Sequence, residues 1–313
     1  MASAAGRGRA QTTGTTEGGA FLLLPVGARA TALGQAAAAE GGTTEALFWN
    51  PAGLADIRHT ELALHHYATF SGTGDAFVAA VPANGLGVFT FGAYVLDYGE
   101  FPVTTGPDGS IGTVVSRNIA LEASYATGVF GGLTAGIAYK LIQFRVDCSL
   151  DCNGLPTIVG TTHALDIGVR YALPTAVPIM VGATIRNLGF KFQVNNQAQA
   201  DPLPTRLQVG VAFVALRPAA GMEGLDVRVL ADMQGIVGQG DLAPNGLFGV
   251  ESGYRETLRV RLGYAFLDSQ LRGPSLGVGM KVGRIGVDLA KTFYPADAIG
   301  EKDPFHVSMR YTF

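Results

Sequence analysis

The chain has 313 residues, of which 44 are glycine, 48% are hydrophobic and only 15% are charged. Charge well below the roughly 25% of soluble domains, with glycine at about twice its usual ~7%, argues against an ordinary enzyme core, and a net charge of −3 leaves no basic patch for nucleic acid. No stretch approaches the ~18 to 20 consecutive apolar residues of a spanning helix, so a closed β-barrel is the membrane solution that remains.

Residues 1–20 are small, polar and rich in Gly and Thr, carry Arg7 and Arg9, and are expected to be disordered because they bury too little surface to offset ordering. The run AFLLLPV at 20–26, followed by ARA and AAAA, has the outline of a signal-peptide apolar region with a small-residue cleavage site. Pro25 inside the run and Arg29 directly behind it speak against that reading. For a barrel that must be exported, the expectation is that the sequence lacks its export signal or has a wrong start. From Arg29 to Glu40 the alanine-rich RATALGQAAAAE favours a short helix, which Gly41 and Gly42 stop. LFWNPAGL at 47–54 reads as a turn through Pro51 and Gly53 and holds Trp49, the single tryptophan.

Beyond residue 60 the hydrophobic period becomes 2. Phe305, Val307, Met309, Tyr311 and Phe313 alternate with His306, Ser308, Arg310 and Thr312. The same pattern sets Leu258, Val260 and Leu262 against Arg259, Arg261 and Gly263; Leu207, Val209 and Phe213 against Arg206, Gln208 and Gly210; and Leu165, Ile167 and Val169 against Asp166, Gly168 and Arg170. These are half-buried strands. Segmentation places about fourteen of them, near 61–69, 74–82, 85–98, 117–128, 132–146, 161–173, 178–194, 204–216, 225–235, 246–254, 256–267, 274–282, 284–294 and 304–313. Several reach the roughly 9 to 11 residues that cross a tilted barrel wall. Short turns predicted on one rim and long loops on the other are the habit of outer-membrane barrels. Aromatic residues near strand ends, among them Tyr94, Tyr98, Tyr139, Tyr254 and Phe293, are candidates for interfacial girdles.

Cys148 and Cys152, in CSLDC, have no second Cys or His cluster beside them to complete a zinc site. They read as a disulfide clip of an outward loop tip in an oxidising compartment, or as a pair of free thiols in a reducing one. In the third strand both faces are apolar, Phe89 and Phe91 on one and Val88 and Tyr94 on the other. Its inward face either packs on an inserted segment or lines a greasy route, with Phe89, Phe91 and Gly92 as the route residues.

FLLLPVGARATALGQAAAA followed by ALFWNPAGLA resembles the N-terminal region of the PorV/PorQ family, itself related to the FadL-type transporters of hydrophobic compounds. The elements carrying the resemblance are Gly27, Ala28, Arg29 and Gly34, then Trp49, Asn50, Pro51, Ala52 and Gly53. The resemblance implies an all-β transmembrane antiparallel barrel of about fourteen strands over 60–313, with residues 21–59 forming a plug of one short helix plus the NPA turn. It also implies that Tyr311 and Phe313 form the terminal signal read by the outer-membrane assembly machinery, and that Gly92 permits a kink opening the wall sideways. A barrel of this size encloses more space than its own side chains fill. Inward glycines such as Gly168, Gly210, Gly263, Gly277 and Gly279 either make room for the plug or serve only the twist of the sheet.

His59, His65, His66, His163 and His306 show no spaced acid partner, and G-x-S-x-G, P-loop and H-E-x-x-H motifs are all missing from the sequence. The inward charges fit lumenal ion pairs or, alternatively, an ion-selective pore. The sequence therefore reads as a barrel of the cell outer membrane with no enzymatic role, no metal and no cofactor. Its implied partners are membrane lipid and either a secretion channel or exported cargo, as an accessory of type IX-like protein export, or hydrophobic small molecules in a FadL-like passive transporter.

Overall fold

A computed structural model describes residues 17–69, 71–104, 109–152, 154, 156–193, 200–216, 224–237, 245–255, 257–267, 272–295 and 303–313. Fourteen strands run in chain order: β1 (Glu61–Thr69), β2 (Gly72–Ala83), β3 (Gly87–Thr104), β4 (Ser110–Phe130), β5 (Leu133–Leu150), β6 (Ile158–Leu173), β7 (Ile179–Gly189), β8 (Arg206–Leu216), β9 (Leu225–Ile236), β10 (Asn245–Tyr254), β11 (Leu258–Phe266), β12 (Gly273–Val282), β13 (Ile285–Thr292) and β14 (Phe305–Thr312). Each pairs antiparallel with its sequence neighbours, and β14 pairs with β1 from Glu61↔Thr312 to Ala68↔Phe305, which closes the barrel. Closure leaves no strand edge unpaired in lipid.

Alternation decides which residue points where. On β14, Phe305, Met309 and Tyr311 are exposed outward while His306 and Ser308 are buried in the lumen. On β11, Leu258, Val260 and Leu262 face out and Arg261 faces in; on β8, Leu207, Val209 and Phe213 face out and Arg206 and Gln208 face in. The outward surface is thus an apolar band suited to lipid. No helix among the described residues is long and apolar enough to cross a membrane.

At one rim, which we call the terminal rim, β1 begins and β14 ends, and Phe313 N–H donates to the Thr60 carbonyl at 2.9 Å. Connections at the opposite rim, the loop rim, include 190–205 between β7 and β8 and 293–304 between β13 and β14. The long–short contrast is weaker than the sequence suggests. β3, β4 and β5 continue past the expected ends, to Thr104, back to Ser110 and on to Leu150, so hydrogen-bonded strand replaces predicted loop. Cys148 consequently lies inside β5 rather than at a loop tip. It is bonded to Cys152, with Cα atoms 6.1 Å apart, and opposes Val114 of β4.

The N-terminal segment lies inside the barrel: a 3₁₀ turn at Ala20–Leu23, helix α1 (Ala28–Ala32), helix α2 (Ala46–Trp49) and a 3₁₀ helix at Pro51–Asp56. Residues 1–16, most of the stretch expected to be disordered, lie outside the described residues. The last part of that stretch is placed: Glu17 pairs with Arg206 at 2.7 Å and Gly18 N–H donates to the Pro202 carbonyl at 2.9 Å. The helix expected over 29–40 stops at Ala32, because Gly34 and Gln35 both take left-handed backbone (φ 62° and 67°). A Cβ at Gly34 would lie 2.6 Å from the Phe248 carbonyl oxygen, so the chain turns where it touches the wall. The predicted turn at 47–54 is instead the end of α2 joined to a 3₁₀ helix, with Asn50 as its cap.

Candidate functional site

The segment is tied to the wall by side chains whose partners are far apart in sequence. Asn50 Oδ1 accepts from Ala52 N–H at 3.1 Å, while its amide donates to the Ala38 carbonyl at 2.6 Å and to the Val169 carbonyl of β6 at 3.3 Å. One buried side chain therefore caps the 3₁₀ helix, joins two stretches of the segment and pins them to the barrel. Pro51 starts that helix, and Gly53 N–H donates back to the Asn50 carbonyl at 2.9 Å. Trp49 donates through Nε1 to the Val26 carbonyl at 2.9 Å, and the Arg186 guanidinium of β7 lies 4.9 Å over its ring. Replacing Asn50 with alanine is expected to cost about 2 kcal/mol, the range for a lost cap plus a buried carbonyl left without its donor. Thermal unfolding of the lipid-embedded barrel would show it, and an unchanged melting temperature would contradict this role.

Around α1 lies a layer of buried ion pairs. Arg29 pairs with Glu40 of the segment and, at 3.1 Å, with Glu251 of β10. Arg228 of β9 reaches Glu40 at 2.5 Å, and Arg261 of β11 joins Glu251 and Asp288, each at 2.6 Å. Arg310 of β14 closes the chain on Asp288 at 3.2 Å. Burial opposes the charged form of Glu40, but Arg29 and Arg228 outweigh it and hold the carboxyl below its ordinary range. Glu45 is pushed the other way, first by burial and then by Asp288. Its carboxylate accepts from the N–H groups of Arg29 at 3.2 Å and Ala30 at 2.9 Å, and Gly27 leaves the space it occupies. Toward the terminal rim Arg170 of β6 bonds Asp56 at 2.6 Å and Glu61 of β1 accepts from Thr44 N–H at 2.9 Å.

Between this segment and the wall, on the loop-rim side, lies an apolar cavity of about 350 Å³. Phe21, Leu23 and Leu24 line it from the segment, Leu96 and Tyr98 from β3, and His306 from β14. None of the described lining residues is Lys, Arg, Asp or Glu. On the far side of the ion-pair layer the spaces are polar instead, one of about 260 Å³ bordered by Arg228, Arg259 and Lys281 and one of about 240 Å³ bordered by Arg58, Glu61 and Arg284. The lumen thus grades from greasy to charged across the inserted segment.

Two sequence expectations on β3 are corrected. Phe89 and Phe91 point outward, 42% and 59% exposed, because the inward positions are Val88, Thr90, Tyr94 and Leu96. Those two phenylalanines belong to the lipid-facing band and line no lumenal route. Gly92 does face inward, but it produces no kink: pairing runs without interruption from Val88 to Asp97 against both β2 and β4. Its missing side chain admits Leu47 of α2, which a Cβ would meet at 2.5 Å. Tyr94, a candidate girdle residue, is turned inward and stacks on Phe21 with ring centres 5.5 Å apart. Tyr139, Tyr254 and Phe293 are exposed outward as a girdle requires.

Five inward glycines divide by what they face. Gly168 and Gly263 abut the segment at Asn50 and Leu33–Gly34, and Gly277 abuts Ala32. Gly210 instead leaves room for the Asp232 carboxylate, and Gly279 for Asp288 and Arg261. The cavity residues Phe21, Leu23, Leu96, Tyr98 and His306 were not singled out together by the sequence. Their one signal was the inward register of β3 and β14, since the apolar run at 20–26 meets them only through the fold.

No protein-family model matches this sequence, and no curated protein matches it. Solved structures do. The chain is similar to the Ralstonia pickettii toluene transporter TbuX (14% identity, TM-score 0.59, covering 94% of this chain and 100% of that one). It is similar to the CymD monoaromatic hydrocarbon channel (14% identity, TM-score 0.61, 93% and 98%) and to a Pseudomonas aeruginosa FadL homologue (12% identity, TM-score 0.50, 90% and 96%). At such identities the likeness is one of fold. These neighbours are transporters or channels rather than enzymes, and they fall on the FadL-type side of the resemblance, with no support for a PorV/PorQ assignment.

Proposed function

We propose that this protein is a FadL-like passive channel that takes small hydrophobic molecules across the outer membrane, with residues 21–59 as its plug. The observation that carries the reading is the uncharged, apolar cavity between plug and wall, lying on the loop-rim side and separated from polar spaces by the ion-pair layer. Apolar solutes leave water for such a cavity readily, at roughly 25 cal/mol per Å² of apolar surface. Small ligands are commonly held in pockets of about this size. The neighbours named for toluene and monoaromatic hydrocarbons support the same class of solute.

In this reading Gly27, Arg29, Gly34, Trp49, Asn50, Pro51, Ala52 and Gly53 hold the plug in place. The exposed Phe313, its ring packed edge-on against Tyr311 at 4.9 Å, serves barrel assembly. The Cys148–Cys152 bond braces the loop-rim end of β5 in an oxidising compartment. The export-accessory reading rests on the resemblance of the N-terminal segment alone, and the transport neighbours favour the channel.

Filling the cavity tests the proposal. Leu23→Trp adds a large ring at a lining position of the plug, and toluene uptake into cells carrying the variant is expected to fall about tenfold, as a penalty of ~1.4 kcal/mol implies. Uptake equal to that of the unaltered protein, with the barrel correctly inserted, would remove the support for transport through this cavity.

A further inference from the structure

The apolar cavity has one polar feature that a pure hydrocarbon leaves unused. His306 is 1% exposed and lines the cavity, yet neither Nδ1 nor Nε2 has a hydrogen-bond partner. Its ring is held by stacking on Tyr67, with centres 5.2 Å apart. The next inward residue of β14 shows the contrast: Ser308 accepts from Ala28 N–H at 2.8 Å and bonds His65 Nδ1 at 2.8 Å. Buried polar groups are generally partnered; of the cavity's described lining residues His306 is the one with buried side-chain nitrogens left without a partner, while His65 Nε2 on the neighbouring strand is also unpartnered but lies outside that lining. An imidazole offers a donor and an acceptor, and Gln35 and Tyr294 bring an amide and a phenol hydroxyl to the same lining.

We infer that the cavity is built for a neutral, mostly apolar molecule bearing one hydrogen-bonding group, such as an alcohol, phenol or ketone, seated with that group against His306. The inference rests on the channel reading and narrows the chemistry of what passes. A carboxylate is disfavoured, because it would be desolvated with no cation in the described lining to meet it. A hydrocarbon gains the apolar contact but leaves the imidazole unpaired, and a site that hydrogen-bonds a polar group discriminates against the analogue lacking it.

The test uses the full chain in lipid nanodiscs, free of detergent that would occupy the cavity, with binding of toluene, benzyl alcohol and benzoate measured by calorimetry. Benzyl alcohol is expected to bind about tenfold more tightly than toluene, with benzoate weakest. His306→Phe keeps the ring stacked on Tyr67 while removing both nitrogens, so benzyl alcohol should weaken to the level of toluene, whose own affinity stays the same. His306→Asn restores a donor and an acceptor and should recover part of the preference. Equal binding of toluene and benzyl alcohol by the unaltered protein overturns this inference and leaves the channel reading standing. So does a preference that survives in His306→Phe, or tightest binding of benzoate. Binding of none of the three overturns both. If His306→Phe does not fold, the ranking in the unaltered protein together with His306→Asn decides the matter.

Discussion

A valine at Gly136 is expected to unseat the plug and open the lumen to ions. Gly136 faces inward from β5, and a Cβ there would lie 2.5 Å from both the Ala52 nitrogen and the Pro51 carbonyl oxygen. What it meets is backbone, which cannot rotate aside as a side chain end can. Gly182 of β7 is pressed in the same way against the backbone of Ala38 and Ala39, so the wall offers the inserted segment little room to slide. Overpacking of a well-filled core typically costs about 1–3 kcal/mol, and contact with backbone at the NPA motif sets this case at the upper end or beyond. The outward face of β5 is untouched, so the barrel itself should still insert. Conductance in planar bilayers is the readout: the unaltered protein should stay near the baseline, and Gly136→Val should show openings at least tenfold larger. A variant that conducts and melts like the parent would mean that the segment does not depend on this contact.

Removing the carboxylate of Glu251 is expected to have the largest effect on stability. Glu251 serves Arg29 of the inserted segment at 3.1 Å, Arg261 at 2.6 Å and Arg228 at 3.6 Å, with its own side chain only 4% exposed. Taking one partner from a buried ion pair typically costs about 3–5 kcal/mol, because the remaining charges stay buried without compensation. Glu251→Gln preserves shape, so the loss reports charge rather than packing. Urea unfolding of the barrel in lipid vesicles should show a lowered midpoint and a loss of unfolding free energy of that size. If Arg29 supplies most of the strain, Arg29→Leu combined with Glu251→Leu should be less destabilised than the sum of the two single changes, the signature of coupled sites. Strict additivity would separate the plug from the network.

These two experiments probe features of different legibility. Arg261, Asp288 and Arg310 could be assigned to the lumen from strand alternation alone, and their mutual pairing follows from the registers of β11 to β14, with Gly279 of β12 leaving room for Arg261 to reach Asp288. Glu40 and Glu17 could not be matched to Arg228 and Arg206 that way, because those contacts join residues almost two hundred positions apart through the path of an irregular segment. Propensity also misjudged the alanine run. Ala36–Ala39 could continue a helix, but Gly34 turns the chain at the wall and Ala38 N–H is taken by Asp232 of β9 at 2.8 Å. Tertiary contact overrode a weak local preference. On β3, two apolar faces gave no local reason to choose which lines the lumen; closure of the barrel turned Tyr94 and Leu96 inward and left Phe89 and Phe91 to lipid.

The sequence by itself determined the barrel: about fourteen strands, the lipid-facing residues of those strands whose alternation is clean, and the inserted N-terminal segment with its NPA turn as an expectation from resemblance. It could do so because a period of two is a local property, written in adjacent residues and fixed by the geometry of an extended chain. Only the tertiary structure decided the apolar cavity, the partners of the buried charges and the solitary imidazole of His306. Those depend on how residues 17–57 thread a closed wall, and the meeting of Leu23 and His306 at one cavity leaves no periodic trace in either segment.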